Sequence, residues 1–281
     1  MSRNNLDRTG APNVPAPPVE TKDPLHFVSP TEFVELPSRG NGYPEGHALY
    51  GKEVIEIRFM TAKDEDILTS ESLLRNGLAL DRLLENLLID KSINVDTLLI
   101  GDKNAILIAA RASAYGNLYE TKIKCPSCGT KSTMTFDLND KDMYSPENIE
   151  DKGVTLTEAG TYKFTLPRAG FETEIRLLTS KDERKIIKRM AGGNKGNKPD
   201  TQVTDQYKSM ILSVNGVRAS LKISKFIEQM PIQDSRYIRS VYKLISPNIE
   251  IRDNFCCNSC GYEQELEVPF GTDFFWPDAQ I

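Results

Sequence analysis

Two short stretches constrain this chain more than anything else in it: Lys124-Cys-Pro-Ser-Cys-Gly-Thr130 and Asn254-Phe-Cys-Cys-Asn-Ser-Cys-Gly-Tyr262. Each carries a Cys-x-x-Cys pair followed directly by glycine: Cys125, Cys128 and Gly129, then Cys257, Cys260 and Gly261. The flanks match as well. Leu118–Lys124 and Lys131–Phe136 alternate like strands around the first pair, as do Ile249–Arg252 and Tyr262–Val268 around the second. A strand–knuckle–strand motif is therefore used twice. Two knuckles facing each other supply four thiolates at the corners of a tetrahedron, which suits Zn²⁺. The glycine lets the backbone turn so that amides point at the sulfurs. A redox pair would explain one doublet but not two with matching flanks, and it would precede a helix where strand-like residues stand here. The expected metal ligands are Cys125, Cys128, Cys257 and Cys260. Cys256 is the spare, read as a small, half-buried thiol.

Residues 129 to 256 separate the knuckles, where about 15–20 residues are usual. Closing so long a loop adds only about 2 kcal/mol of entropy cost. A structural zinc contributes about 10–16 kcal/mol in small peptides, so the metal prevails. A site closed by four cysteines has no open coordination position, and its role is to pin distant parts of the chain together.

The remaining sequence reads as α+β: an N-terminal helical cluster and a split four-cysteine zinc ribbon, interrupted by a long α/β insert. Four segments are expected: a disordered or partner-bound arm (1–24), a strand and helix cluster ending in the first knuckle (25–136), the insert (137–247), and the second knuckle with an aromatic, acidic tail (248–281). Glu53–Phe59 reads as a strand, and Thr61–Asp64 as a capping box opening a helix that Gly77 ends. Leu80, Leu83, Leu84, Leu87 and Leu88 follow at helical spacing. Asn94 is expected to cap a short helix, and Asp102 a more apolar one over 105–114. In the insert, 154–156 and 162–166 suggest a hairpin around Gly160, and 174–178 a strand. Ser180–Glu183 reads as a second capping box, opening a helix that ends at Gly192-Gly193. Further helices are expected near 202–213 and 233–245, with Pro247 as the stop.

Other features carry less. Net charge is -5 over 281 residues, which makes nucleic-acid wrapping a poor fit. No apolar run is long enough for a membrane span, and the N-terminus lacks a secretory signal's apolar core. The glycine-rich stretch 192–198 reads as a linker rather than a phosphate loop. The basic run Lys181, Arg184, Lys185, Lys188 and Arg189 reads as a solvated helix face. His26 and His47 have no partners for nucleophilic catalysis, so no enzyme, small-molecule substrate or catalytic residue is expected. Phe274, Phe275 and Trp276 are too apolar for a free tail. They either dock on this chain's own core or anchor a neighbouring subunit.

Several stretches, in order, resemble the T-even-type bacteriophage baseplate protein family: Leu36-Pro-Ser-Arg-Gly40 with Tyr43, Glu56–Thr61 running into Asp64–Leu68, Ser113-Ala-Tyr-Gly116, and the knuckles. Members are baseplate hub or hub-assembly proteins. The resemblance implies a structural part in a phage tail, with other baseplate or tail subunits as partners, placement in the virion's tail baseplate, and assembly in the host cytoplasm. The alternative from the residues alone is a zinc-ribbon nucleic-acid-binding or transcription-related module.

Overall fold

The computed structural model describes residues 30–192, 202–268 and 272–275. The arm, the stretch 193–198, His26 and Trp276 lie outside them. In chain order the first elements are β1 (Thr31–Glu35), β2 (Val54–Arg58), α1 (Ala62–Thr69), α2 (Glu71–Asn76), α3 (Ala79–Leu87) and α4 (Ile100–Tyr115). Then come β3 (Leu118–Lys124), β4 (Lys131–Asp137), β5 (Asp142–Tyr144), β6 (Thr155–Leu156), β7 (Tyr162–Thr165) and β8 (Glu172–Ile175). The rest are α5 (Ser180–Gly192), α6 (Gln202–Met210), β9 (Ile211–Val214), α7 (Ser220–Gln229), α8 (Ile232–Ile245), β10 (Asn248–Glu250), β11 (Arg252–Cys256) and β12 (Glu263–Glu267). The fold mixes helix and sheet. Its sheets are small and antiparallel: β1 with β2, β3 with β4, β5 with β10, β11 with β12, and a four-stranded sheet in the order β6, β7, β8, β9.

Leu83, Leu84 and Leu87 make α3 strongly amphipathic, and all three are fully buried. They join a continuous apolar core that includes Ile57, Ile106, Phe136, Ile175, Ile238 and Ile249. The knuckle strand β4 alternates cleanly, with Ser132, Met134 and Phe136 facing in.

Several expected elements differ from those formed. The helix expected from Thr61 to Gly77 breaks at Ser70, whose backbone is extended (φ -68°, ψ 107°). The apolar spacing there is too sparse to hold one continuous face. Asn94 does cap, accepting from the Asp96 amide, but only a 3-10 turn, Val95–Thr97. Asp102 is not a cap. It is the third residue of α4 and fully buried, and it accepts from the Ser38 amide (3.0 Å), the Ser38 hydroxyl (2.7 Å) and the Tyr43 hydroxyl (2.7 Å). The second capping box sits one residue earlier than expected. Thr179 donates its amide and hydroxyl to Asp182 (3.2 and 2.9 Å), and Arg176 adds a bond of 2.6 Å to the same oxygen. The segment expected as a helix over 202–213 changes to strand at Ile211, where β-branched Ile211 and Val214 pair with β8. The strand expected over 249–252 is two strands: β10 pairs with β5, and β11 with β12.

Of the basic run, Lys181, Lys185 and Lys188 are exposed, as a solvated helix face implies, while Arg184 is paired within the chain. Arg184 binds Asp81 (2.6 Å) and Asp96, while Lys103 binds Glu183 (2.6 Å). Phe274 and Phe275 are buried. The Phe274 ring stands edge-on to Tyr119 with centroids 5.0 Å apart, and its carbonyl accepts from Arg111 Nε at 3.0 Å. Of the two expectations for the aromatic tail, these two rings follow the first.

Candidate metal centre

Each knuckle is built by its hairpin. In the first, Lys124 pairs with Lys131 across β3 and β4, the Cys125 amide donates to the Thr130 carbonyl (2.8 Å), and the Gly129 amide donates to the Cys125 carbonyl (2.9 Å). In the second, Cys256 pairs with Glu263, Cys257 donates to Tyr262 (2.9 Å), and Gly261 donates to Cys257 (2.9 Å). Gly129 and Gly261 have φ of 74° and 68°, a left-handed turn that a side chain would strain.

The two turns meet. The sulfur atoms of Cys125, Cys128, Cys257 and Cys260 all lie within 4.8 Å of one another. Cys125 Sγ is 3.7 Å from Cys260 Sγ, and Cys128 Sγ is 3.6 Å from Cys257 Sγ. A tetrahedral ion with Zn–S bonds of about 2.3 Å requires sulfurs about 3.8 Å apart. The donor set and its spacing therefore fit a metal ion, and none of the five cysteines is disulfide-bonded. Cys125 and Cys257 are buried, whereas Cys128 and Cys260 face solvent. Cys256 is exposed and stands outside the cluster.

Electrostatics favour a cation here. The Thr130 hydroxyl, with the Thr130 amide, lowers the Cys128 thiol to about 6. The amides of Ser259 and Cys260 lower Cys257. The Tyr262 amide favours a Cys260 thiolate, yet the neighbouring sulfurs outweigh it and push that thiol up to about 11. Four thiolates at this separation repel one another, and a divalent ion relieves that repulsion. Thr130 was not singled out in the sequence. Its signal is a hydroxyl two residues after the second cysteine, 3.3 Å from Cys128 Sγ.

His47 is structural. It stacks on Tyr43 with centroids 4.5 Å apart and bonds the Thr97 hydroxyl at 2.8 Å. Its pKa is lowered by burial.

A four-thiol cluster joins two hairpins in a fold otherwise made of packed helices and short sheets. The chain matches the family model described as T4 bacteriophage base plate protein over residues 31–276, and it belongs to that family. No curated protein and no solved structure gives a significant match. The family makes this a baseplate structural protein, which suggests a non-enzymatic role, placement in the virion's tail baseplate and contact with other phage subunits. No helix among the described residues is long and apolar enough to cross a membrane.

Proposed function

We propose that this chain is a structural or assembly component of the hub region of a contractile phage tail baseplate, put together in the host cytoplasm and acting through protein–protein contact. Its ribbon is held by one structural Zn²⁺ on Cys125, Cys128, Cys257 and Cys260. The family match over residues 31–276 carries the baseplate role. The thiol-only donor set, the short sulfur separations and the lack of a non-cysteine ligand at the cluster among the described residues support zinc in a closed site. When bound, the ion supplies cross-linking and charge neutralisation. The chain's own contribution is to orient four sulfurs with two hairpins and to shield two of them from water.

Metal analysis of the purified chain and of purified tails tests this. One zinc per chain is expected, together with loss of tail incorporation in the Cys125→Ser/Cys257→Ser double variant. Normal incorporation without bound metal would sink the metal reading. Strong DNA binding that weakens steeply with salt would move the chain to the nucleic-acid class.

A further inference from the structure

We propose that this chain is two copies of one folding unit in tandem, residues 31–138 and 162–268, each contributing half of the thiol cluster and each laying the segment after its ribbon on the other unit. This division differs from the four segments expected from sequence. It rests on geometry that holds whatever ion the cysteines take.

The repetition is clearest in Glu56-Ile-Arg-Phe-Met-Thr-Ala-Lys-Asp-Glu65 and Glu174-Ile-Arg-Leu-Leu-Thr-Ser-Lys-Asp-Glu183, where seven of ten residues are identical. Both decamers do the same structural work. Each begins in the second strand of a hairpin and ends in a helix. In each the threonine amide donates to the aspartate, at 2.9 Å for Thr61 and Asp64 and 3.2 Å for Thr179 and Asp182. In each an arginine three residues before the threonine clamps the same carboxylate, Arg58 at 2.7 Å and Arg176 at 2.6 Å. The isoleucine of each decamer then pairs antiparallel with a later segment, Ile57 with Leu88 and Ile175 with Ile211.

The equivalence extends in both directions. Ahead of the decamers stand Leu36-Pro-Ser-Arg-Gly40 and Leu166-Pro-Arg-Ala-Gly170, with φ of 74° and 69° at the two terminal glycines. Each turn is held by a fully buried aspartate at the third position of a later helix. The Ser38 amide donates to Asp102 in α4 at 3.0 Å, and the Arg168 amide donates to Asp234 in α8 at 2.8 Å. From Asp102 to Cys125 is 23 residues (125 − 102), and from Asp234 to Cys257 is also 23 (257 − 234). The knuckles that follow share register and hydrogen bonds, as described above.

Beyond the ribbons the segments cross. Asp142 stands 14 residues after Cys128 (142 − 128), and Phe274 stands 14 after Cys260 (274 − 260). The strand β5 that Asp142 begins pairs with β10 of the second unit, Met143 opposite Ile249. Phe274 packs on Tyr119 and Arg111 of the first unit. Reciprocal contact of this kind marks a two-fold arrangement. Here the axis would pass through the thiol cluster. The units have also diverged. The first has the long loop 36–53, and the second has α7. The Ser180 amide donates to the Leu98 carbonyl between units at 2.9 Å, whereas Ala62, the counterpart of Ser180, is exposed.

Native-state hydrogen exchange on the full chain tests both claims. Asp102→Asn is expected to speed exchange about tenfold or more in the turn 36–40 and in α4, as loss of buried hydrogen bonds implies. Residues 162–245 should stay within about twofold. Asp234→Asn is expected to give the mirror image. The crossing predicts that Phe274→Ala deprotects 111–119 of the first unit and Met143→Ala deprotects 248–250 of the second. Two units are refuted if either asparagine variant deprotects both halves equally. The crossing is refuted if each tail variant acts only within its own unit.

Discussion

Phe274→Ala is the substitution whose cost the structure specifies best. The ring is 1% exposed and sits edge-on to both Tyr119 and Phe275, at 5.0 and 5.4 Å between centroids. Truncating a buried phenylalanine costs about 3–5 kcal/mol through lost transfer energy and the cavity left behind. The paired ring contacts are included in that figure and account for about 0.5–1.5 kcal/mol each. The backbone carbonyl that accepts from Arg111 is untouched by the change. A loss of this size lowers the melting temperature of a chain this long by about 6–15 °C. Urea unfolding followed by circular dichroism, with thermal melts alongside, measures it. A loss below about 1 kcal/mol, accompanied by weakened binding to a baseplate partner, would show the ring to be an interface anchor and refute the core assignment.

Three further outcomes are expected. Asp102→Ala leaves three buried donors, from Ser38 and Tyr43, without their acceptor, and should cost about 3–6 kcal/mol in chemical denaturation; the Asp102→Asn variant should cost distinctly less. Gly101→Ala would place a methyl carbon 2.1 Å from the Pro247 carbonyl oxygen, so α4 and β10 must separate, and the variant should melt well below the parent or fail to accumulate as soluble protein. Acid should weaken the caps of α1 and α5: burial pushes the Asp64 carboxyl up, but bonds from Arg58 and Thr61 outweigh it and hold it at about 2, and Asp182 is lowered in the same way by Arg176 and Thr179. Because these folded-state values lie below the unfolded one, the stabilisation is complete above about pH 4 and is lost as pH falls towards 2; an Asp64→Asn/Asp182→Asn variant should show a flatter stability profile over that window.

The thiol cluster was legible because spacing repeats and chemistry agree: no other pattern in the chain uses its cysteines so economically. The leucines of α3 and the turn at Gly160 were legible for similar local reasons, a strong 3.6-residue period and a glycine at positive φ. Asp102 is not legible as a buried acceptor, because an acidic residue ahead of an apolar run looks the same whether it caps that helix or lies within it, buried beneath a turn 64 residues away. The strand at Ile211 was hidden because Tyr207, Met210 and Ile211 continue a helical spacing, and only pairing with β8 overrides it. The kinship of the two decamers was open to inspection in the sequence. Reading the second capping box from Ser180 rather than Thr179 sets it a residue out of step with the first and conceals the alignment.

The order in which the sulfurs are made has a consequence for synthesis. Cys257 follows Cys128 by 129 residues (257 − 128), and translation at roughly 5–20 residues per second puts about 6–26 s between them. During that interval Cys125 and Cys128 hang from the ribosome with no second doublet to meet. A nascent chain halted midway can hold an ion only loosely, through two ligands and water, so capture of a tightly held ion would signal that translation has passed Cys260.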